Sequence, residues 1–180
     1  MKLRDIIIIL VVAVLAVFLV KGIHIESTED YYKTHIDEIR DGDKSISLEI
    51  RCDTILNNWD MLDQGIKDEG LVPEDGIILK KTNYRLEEGE TVFDVLKKAT
   101  QYHKIHMEYI FSEVFNSYYI EGIQNLYEFS CGPDSGWVYM INGIPADRGC
   151  SEYVLNDKDE ILWAYTCDLG RDVYGDNWIW

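Results

Sequence analysis

The chain has 180 residues, 47% hydrophobic and 12% aromatic, which is enough apolar surface for a packed core of domain size. Acidic residues outnumber basic ones by 33 to 17, for a formal net charge of -16. Such a surface repels phosphate backbones and excludes nucleic acid as a partner, and the aromatic content excludes a disordered acidic chain.

Lys2 and Arg4 precede an uncharged apolar run from Ile6 to Val20, closed by Lys21. A basic start followed by such a run is an export signal, and the two cations hold this end in the cytoplasm. No small-x-small cleavage site and no lipoprotein cysteine follow, so residues 1–23 are expected to be an uncleaved signal anchor, a transmembrane helix that meets the membrane through residues 6–23. The run is short against the roughly 20 residues of a span, and snorkelling Lys21 extends it. Everything after residue 23 is then expected outside the cell membrane. Residues 24–44 are polar and charged and read as a stalk.

Ile46, Leu48 and Ile50 alternate with polar residues, which predicts a first strand ending at Cys52. Asp53 is placed to cap a helix with the stripe Ile55, Trp59, Leu62 and Ile66, ended by Gly70 and Pro73. Gly76 to Lys80 predicts a second strand. Thr91 and Asp94 form a capping-box start to a helix that buries Val92, Val95, Leu96 and Ala99. Short strands follow at residues 105–111, 118–123 and 126–129. Trp137, Tyr139 and Ile141 then alternate with Val138 and Met140 up to Asn142-Gly143, a strong hairpin signal, because a type I′ turn needs positive φ at both central residues. Glu160 to Thr166 is the last strand, with Ile161, Trp163 and Tyr165 on one face.

Three segments also carry a resemblance. Ser135-Gly-Trp-Val-Tyr-Met-Ile-Asn-Gly143, then Gly149-Cys-Ser-x-Tyr153-x-Leu155, then Ile161-Leu-Trp-Ala-Tyr-Thr166 after an acidic turn, resemble the transcobalamin-like C-terminal domain family. The resemblance implies an α+β, β-grasp-like mixed sheet on one main helix over residues 45–172, with 173–180 left as an aromatic tail. It departs from the family at Asp157-Lys158-Asp159, where Asp-Gly-Asp is usual. It also implies cobalamin or another corrinoid as ligand. In the vitamin carriers that ligand lies between this β-domain and a helical domain. No helical domain fits in this chain, so the isolated affinity is expected to be low.

Cys52, Cys131, Cys150 and Cys167 all lie beyond the membrane segment, where disulfides persist, and no close pair suggests a metal site. Four cysteines allow three pairings, and the sequence alone does not choose. The β-grasp resemblance, in which the first and last strands are parallel neighbours, implies Cys52 with Cys167 and Cys131 with Cys150.

Chemistry is sparse. His103-x-x-His106 with Glu108 offers metal-ligand types at a spacing short of the zincin pattern, and a helix-end polar pair accounts for it more simply. Asp168, Asp172 and Asp176 lack the alternating oxygens and glycine of an EF-hand and read as a solvated acidic tail. There is no Gly-x-Ser-x-Gly elbow and no phosphate cradle, so no catalysis is expected. The aromatics are more promising. Trp137, Tyr139, Trp163 and Tyr165, with Asn142 at the turn, could form a platform that stacks a planar ligand, or could pack on the helix. The expected function is a membrane-anchored extracellular ligand-binding module. The alternative is a surface adhesion or assembly module that contacts protein or glycan, and a third class is a metal-dependent hydrolase using His103 and His106.

Overall fold

The chain divides into two compact units, Met1–Tyr32 and Lys33–Trp180. A computed structural model describes Asp5 and residues 35–175. The anchor expected over residues 1–23 therefore lies, Asp5 apart, outside the described residues, as does most of the aromatic tail. Among the described residues no helix is long and apolar enough to cross a membrane.

The second unit is a mixed α+β fold. Strand β1 (Ser45–Arg51) is followed by helix α1 (Thr54–Asn57), a 3₁₀ turn (Trp59–Met61) and helix α2 (Gln64–Glu69). Strand β2 (Ile77–Arg85) and helix α3 (Val92–His103) come next. Then come β3 (Met107–Ser112), β4 (Ser117–Ile123), β5 (Leu126–Tyr127), β6 (Gly136–Ile141), β7 (Ile144–Pro145), β8 (Glu160–Thr166) and helix α4 (Arg171–Tyr174). One sheet has the order β2-β1-β8-β6-β7, with β1 and β8 parallel, as the resemblance implies, and its other pairs antiparallel. The second sheet, β3-β4-β5, is antiparallel.

The single helix expected after Cys52 is broken into three pieces. Its periodicity is interrupted at Asn58, outside both helical regions at φ -123°, and at Leu62, which is extended. Trp59, placed on the apolar stripe by spacing, is 42% exposed. Helix α3 meets the expectation in full: Thr91 caps it reciprocally with Asp94, and Val92, Val95, Leu96 and Ala99 are buried, joined by Phe93 and Thr100. Its first N–H groups are satisfied from outside the helix, Val92 by the Tyr153 carbonyl and Phe93 by the Cys150 carbonyl, both at 3.0 Å. The Gly149–Leu155 motif is thus the seat of the main helix. Ser151 adds a contact to the second sheet, its Oγ accepting from the Tyr118 N–H. Gly149 is required there, because a Cβ would stand 2.2 Å from Ser117.

Residues 35–44, read from the sequence as the end of a stalk, lie against the domain. Ile36 is buried in the core, its carbonyl accepts from the Arg85 N–H, and Asp37 accepts from the Tyr102 hydroxyl at 3.0 Å.

The two turns of the main sheet follow their local chemistry. Asn142 and Gly143 take φ 54° and 76°, as a type I′ hairpin requires. At the acidic turn Lys158 adopts φ 70°, the left-handed conformation that glycine would supply in the usual Asp-Gly-Asp. The turn keeps its shape, and a lysine bears the steric cost, about 1–2 kcal/mol. Lys158→Gly is therefore expected to raise unfolding free energy by about 1 kcal/mol and Tm by roughly 2–4 °C, whereas Lys158→Ala does neither. Thermal melts of the three proteins decide, and an unchanged Tm for the glycine variant would refute the strain.

Candidate functional site

The sheet register brings the four predicted aromatics together. Trp137 faces Tyr165 and Tyr139 faces Trp163 across β6 and β8. Trp137 and Tyr165 meet edge to face at 5.3 Å, and Tyr139 and Trp163 stack at 5.1 Å. They form no open platform, because all four are buried, the most exposed at 8%. Their face of the sheet also carries Ile46, Leu48 and Ile50 and belongs to the same core as helix α3. Core packing, the alternative weighed from the sequence, is what the register produces. Three of the rings spend their donors on backbone carbonyls. The Trp137 indole donates to Leu126 at 2.8 Å, the Tyr139 hydroxyl to Arg148 at 2.6 Å, and the Tyr165 hydroxyl to Tyr127 at 2.6 Å. Asn142 is likewise structural: its amide donates to Asp159 and its carbonyl oxygen accepts from the Glu160 N–H, both at 2.9 Å.

The open site lies where this sheet ends. A cleft of about 650 Å³ is walled by Trp137 and Val138 of β6, Tyr119 of β4, Tyr174 of α4, and two loop residues, Phe129 and Leu169. That volume suits a small organic ligand. Several of its polar groups have partners within the chain: the Tyr119 phenol donates to Glu128, the Thr166 hydroxyl to Asp172, and the Ser135 hydroxyl to the Gly132 carbonyl. Asp172, expected in a solvated tail, also accepts from the Cys167 N–H at 2.8 Å and so holds the turn after β8.

Phe129 and Leu169 set this cleft apart. They are 61% and 55% exposed, yet both sit in the left-handed region, at φ 67° and 49°. Bulky side chains seldom adopt that backbone. Each is pinned by its own N–H, Phe129 to the Ser135 carbonyl at 3.0 Å and Leu169 to the Asp134 carbonyl at 2.9 Å. One loop therefore fixes both apolar rims. Sequence pattern places Phe129 in a strand and passes over Leu169. The available signal was an isolated apolar residue amid turn formers, in Phe129-Ser-Cys-Gly-Pro133 and Cys167-Asp-Leu-Gly170.

The cysteines do not pair as expected. All four are buried free thiols. Because Arg51 lies opposite Ala164, Cys52 falls level with Tyr165, two residues short of Cys167. Two residues of rise, about 6.6 Å, on top of a strand spacing of about 4.8 Å exceed disulfide reach. Cys150 points instead at the Tyr118 carbonyl, 3.2 Å away. His103 and His106 are also kept apart: His103 hydrogen-bonds the Tyr84 hydroxyl at 2.7 Å, and His106 faces Glu108 at 3.2 Å. Among the described residues no three His, Cys, Asp or Glu side chains converge as metal ligands.

Comparison with known proteins finds similarity over part of the chain. A family described as a domain of unknown function, DUF4430, matches residues 89–167, from the turn before α3 to the end of β8. No curated protein matches the chain. Among solved structures it is similar to haptocorrin in complex with Cbi, at 17% identity and TM-score 0.49, over 73% of this chain and 27% of that one. It therefore spans about a quarter of haptocorrin's length. It is also similar, at 9% identity and TM-score 0.40, to a candidate metal-binding protein from Ruminococcus gnavus ATCC 29149, over 69% of this chain and 97% of that one.

Burial raises the phenols of Tyr84, Tyr165 and Tyr174 from 10.0 to about 12. Their protonated forms cost the fold nothing below the unfolded value. Above it the unfolded chain ionises first, so stability is expected to fall as pH rises from about 10 to about 12. Urea midpoints across that interval test the sign, and a flat profile would contradict it. Tyr174→Phe should make the decline shallower.

Proposed function

We propose that this chain is a membrane-anchored extracellular module whose β-grasp-like domain binds an organic ligand in the cleft at the end of its main sheet, without transforming it. The observation that carries the reading is the pair Phe129 and Leu169, two solvent-facing apolar side chains that line one cavity and are held in a disfavoured backbone conformation. Strain of this kind, maintained by hydrogen bonds to one loop, is the mark of a preorganised contact surface. The engaged hydroxyls and carboxylates of the wall, and the placement of both histidines away from it, favour binding over catalysis.

The motif resemblance across residues 135–166 makes a corrinoid the first ligand to test. Cyanocobalamin titrated calorimetrically into the full chain in detergent should give a saturable isotherm. Phe129→Gly and Leu169→Gly should each weaken it by roughly tenfold, the loss of one apolar contact, while leaving the protein as stable as before or more so. An isotherm indistinguishable from buffer would reject a corrinoid. Unchanged affinity in both variants would reject the cleft.

A second reading, surface adhesion, draws on a different feature. The turn between β3 and β4 exposes Val114 at 87% and Phe115 at 69%, continuous with Ile110 and Phe111. Contiguous exposed apolar residues of this kind serve as contact surfaces. Replacing Val114 and Phe115 with lysine should then abolish retention of the protein on a cell-surface extract. Retention of the double variant at wild-type level would remove this reading.

A further inference from the structure

Cys131 and Cys167, each two residues from an apolar side chain that lines the cleft, converge on helix α1 and its C-terminal flanking residue Asn58. The Cys131 Sγ lies 3.5 Å from the Asn58 carbonyl, and the Cys167 Sγ lies 3.8 Å from the Thr54 hydroxyl. Asn58 and Thr54 are themselves joined, the Asn58 amide donating to the Thr54 carbonyl at 2.9 Å. Burial pushes both thiols up, and each lies close enough to perturb the other's ionisation. No other pair of the four cysteines is brought together in this way: Cys150 faces Tyr118 across β4, and Cys52 lies two residues out of register with Cys167.

We propose that Cys131 and Cys167 are joined by a disulfide in the exported protein, and that this bond braces both rims of the ligand cleft. The positions make it a brace. Phe129 stands two residues before Cys131, and Leu169 stands two residues after Cys167. A covalent tie between the cysteines fixes the separation of the two loop segments that carry the rim side chains. The same segments are also held by backbone hydrogen bonds, Phe129 to Ser135 and Leu169 to Asp134. The inference rests on the extracellular location given under Proposed function, since thiols stay reduced in the cytosol.

The chemistry balances by exchange with a disulfide donor, either a thiol–disulfide oxidoreductase or a low-molecular-weight disulfide. One protein thiolate attacks the donor's sulfur, forms a mixed disulfide and releases one donor thiol. The second protein thiolate then displaces the other donor thiol, forming the Cys131–Cys167 bond. The donor's bond is broken, its two sulfurs take up the two protons, and the protein is oxidised by two electrons. Both cysteines are buried in the finished fold, at 0% and 5% exposure, so exchange occurs before the core closes around them.

The test is a non-reducing peptide map of the full chain in detergent, refolded in a glutathione redox buffer, with free thiols alkylated before digestion. The expected result is one cross-linked peptide pair joining Cys131 to Cys167, with Cys52 and Cys150 alkylated. Alkylation of both Cys131 and Cys167, or their linkage to Cys52 or Cys150, overturns the proposal. Reductant should lower the Tm of the oxidised protein by on the order of 10 °C and leave a Cys131→Ser/Cys167→Ser double variant unmoved. An equal drop in both would refute the bond's contribution. A protein cross-linked on refolding but fully reduced when taken from cells keeps the pairing and overturns the exported location instead. The map needs no ligand, so the cross-link stands or falls whether or not cyanocobalamin binds.

Discussion

The buried phenol of Tyr165 is the point on which the domain turns. It lies on the strand that pairs with both β1 and β6, is fully buried, and donates its proton to the Tyr127 carbonyl of the other sheet. It also lies 3.0 Å from the Ser135 Oγ, which accepts from the Cys131 N–H and donates to Gly132. One side chain thus ties the main sheet to the second sheet and to the loop that forms the cleft wall. A hydroxyl without a partner at such depth would cost about 1–3 kcal/mol, so the positions of Tyr127 and Ser135 are as constrained as the ring itself.

That constraint explains why the ligand site is not where the aromatics are. Trp137 and Tyr139 are committed in the same manner as Tyr165, Trp137 donating to the Leu126 carbonyl of β5 and Tyr139 to the Arg148 carbonyl in the loop after β7. Rings held at both ends, by packing and by hydrogen bond, have no free face to offer. What remains open is the end of β6 and β8. The wall of the cleft is therefore stiff because the core behind it is stiff, and Trp137 contributes to both.

The alternation in β1, β6 and β8, the Asn-Gly turn and the capping box at Thr91 are local signals, readable from period and turn chemistry, and each element formed where those signals put it. The helix after Cys52 failed because a stripe at spacings of four, three and four says nothing about Asn58 and Leu62, whose backbone conformations break it. The second sheet was legible strand by strand but not as a separate layer, since pairing partners are a tertiary property. The cleft was hidden for a related reason. Phe129 and Leu169 matter through left-handed backbone and exposure, and a sequence of L-residues announces neither. The cysteines show the same limit at finer grain. Knowing that the first and last strands are parallel gives adjacency, but a two-residue offset in register decides which sulfurs can meet.

Magnitudes separate the residues that serve the fold from those that serve something else. Trp163 is buried to 3% exposure, with no hydrogen-bond partner for its indole N–H among the described residues. Burying an indole of 150–250 Å² is worth about 4–6 kcal/mol, against about 1–3 for the unsatisfied donor, so packing against Tyr139 accounts for the residue without any ligand. Lys158 bears its left-handed conformation because the turn into β8 needs it. Phe129 and Leu169 do not balance in that way. Each carries about 1–2 kcal/mol of steric cost, and with more than half of each residue in solvent, burial returns only a part of it. Glycine would serve the backbone better at both positions. A large apolar side chain at each position fits the role proposed for the cleft, in which a bound ligand covers both.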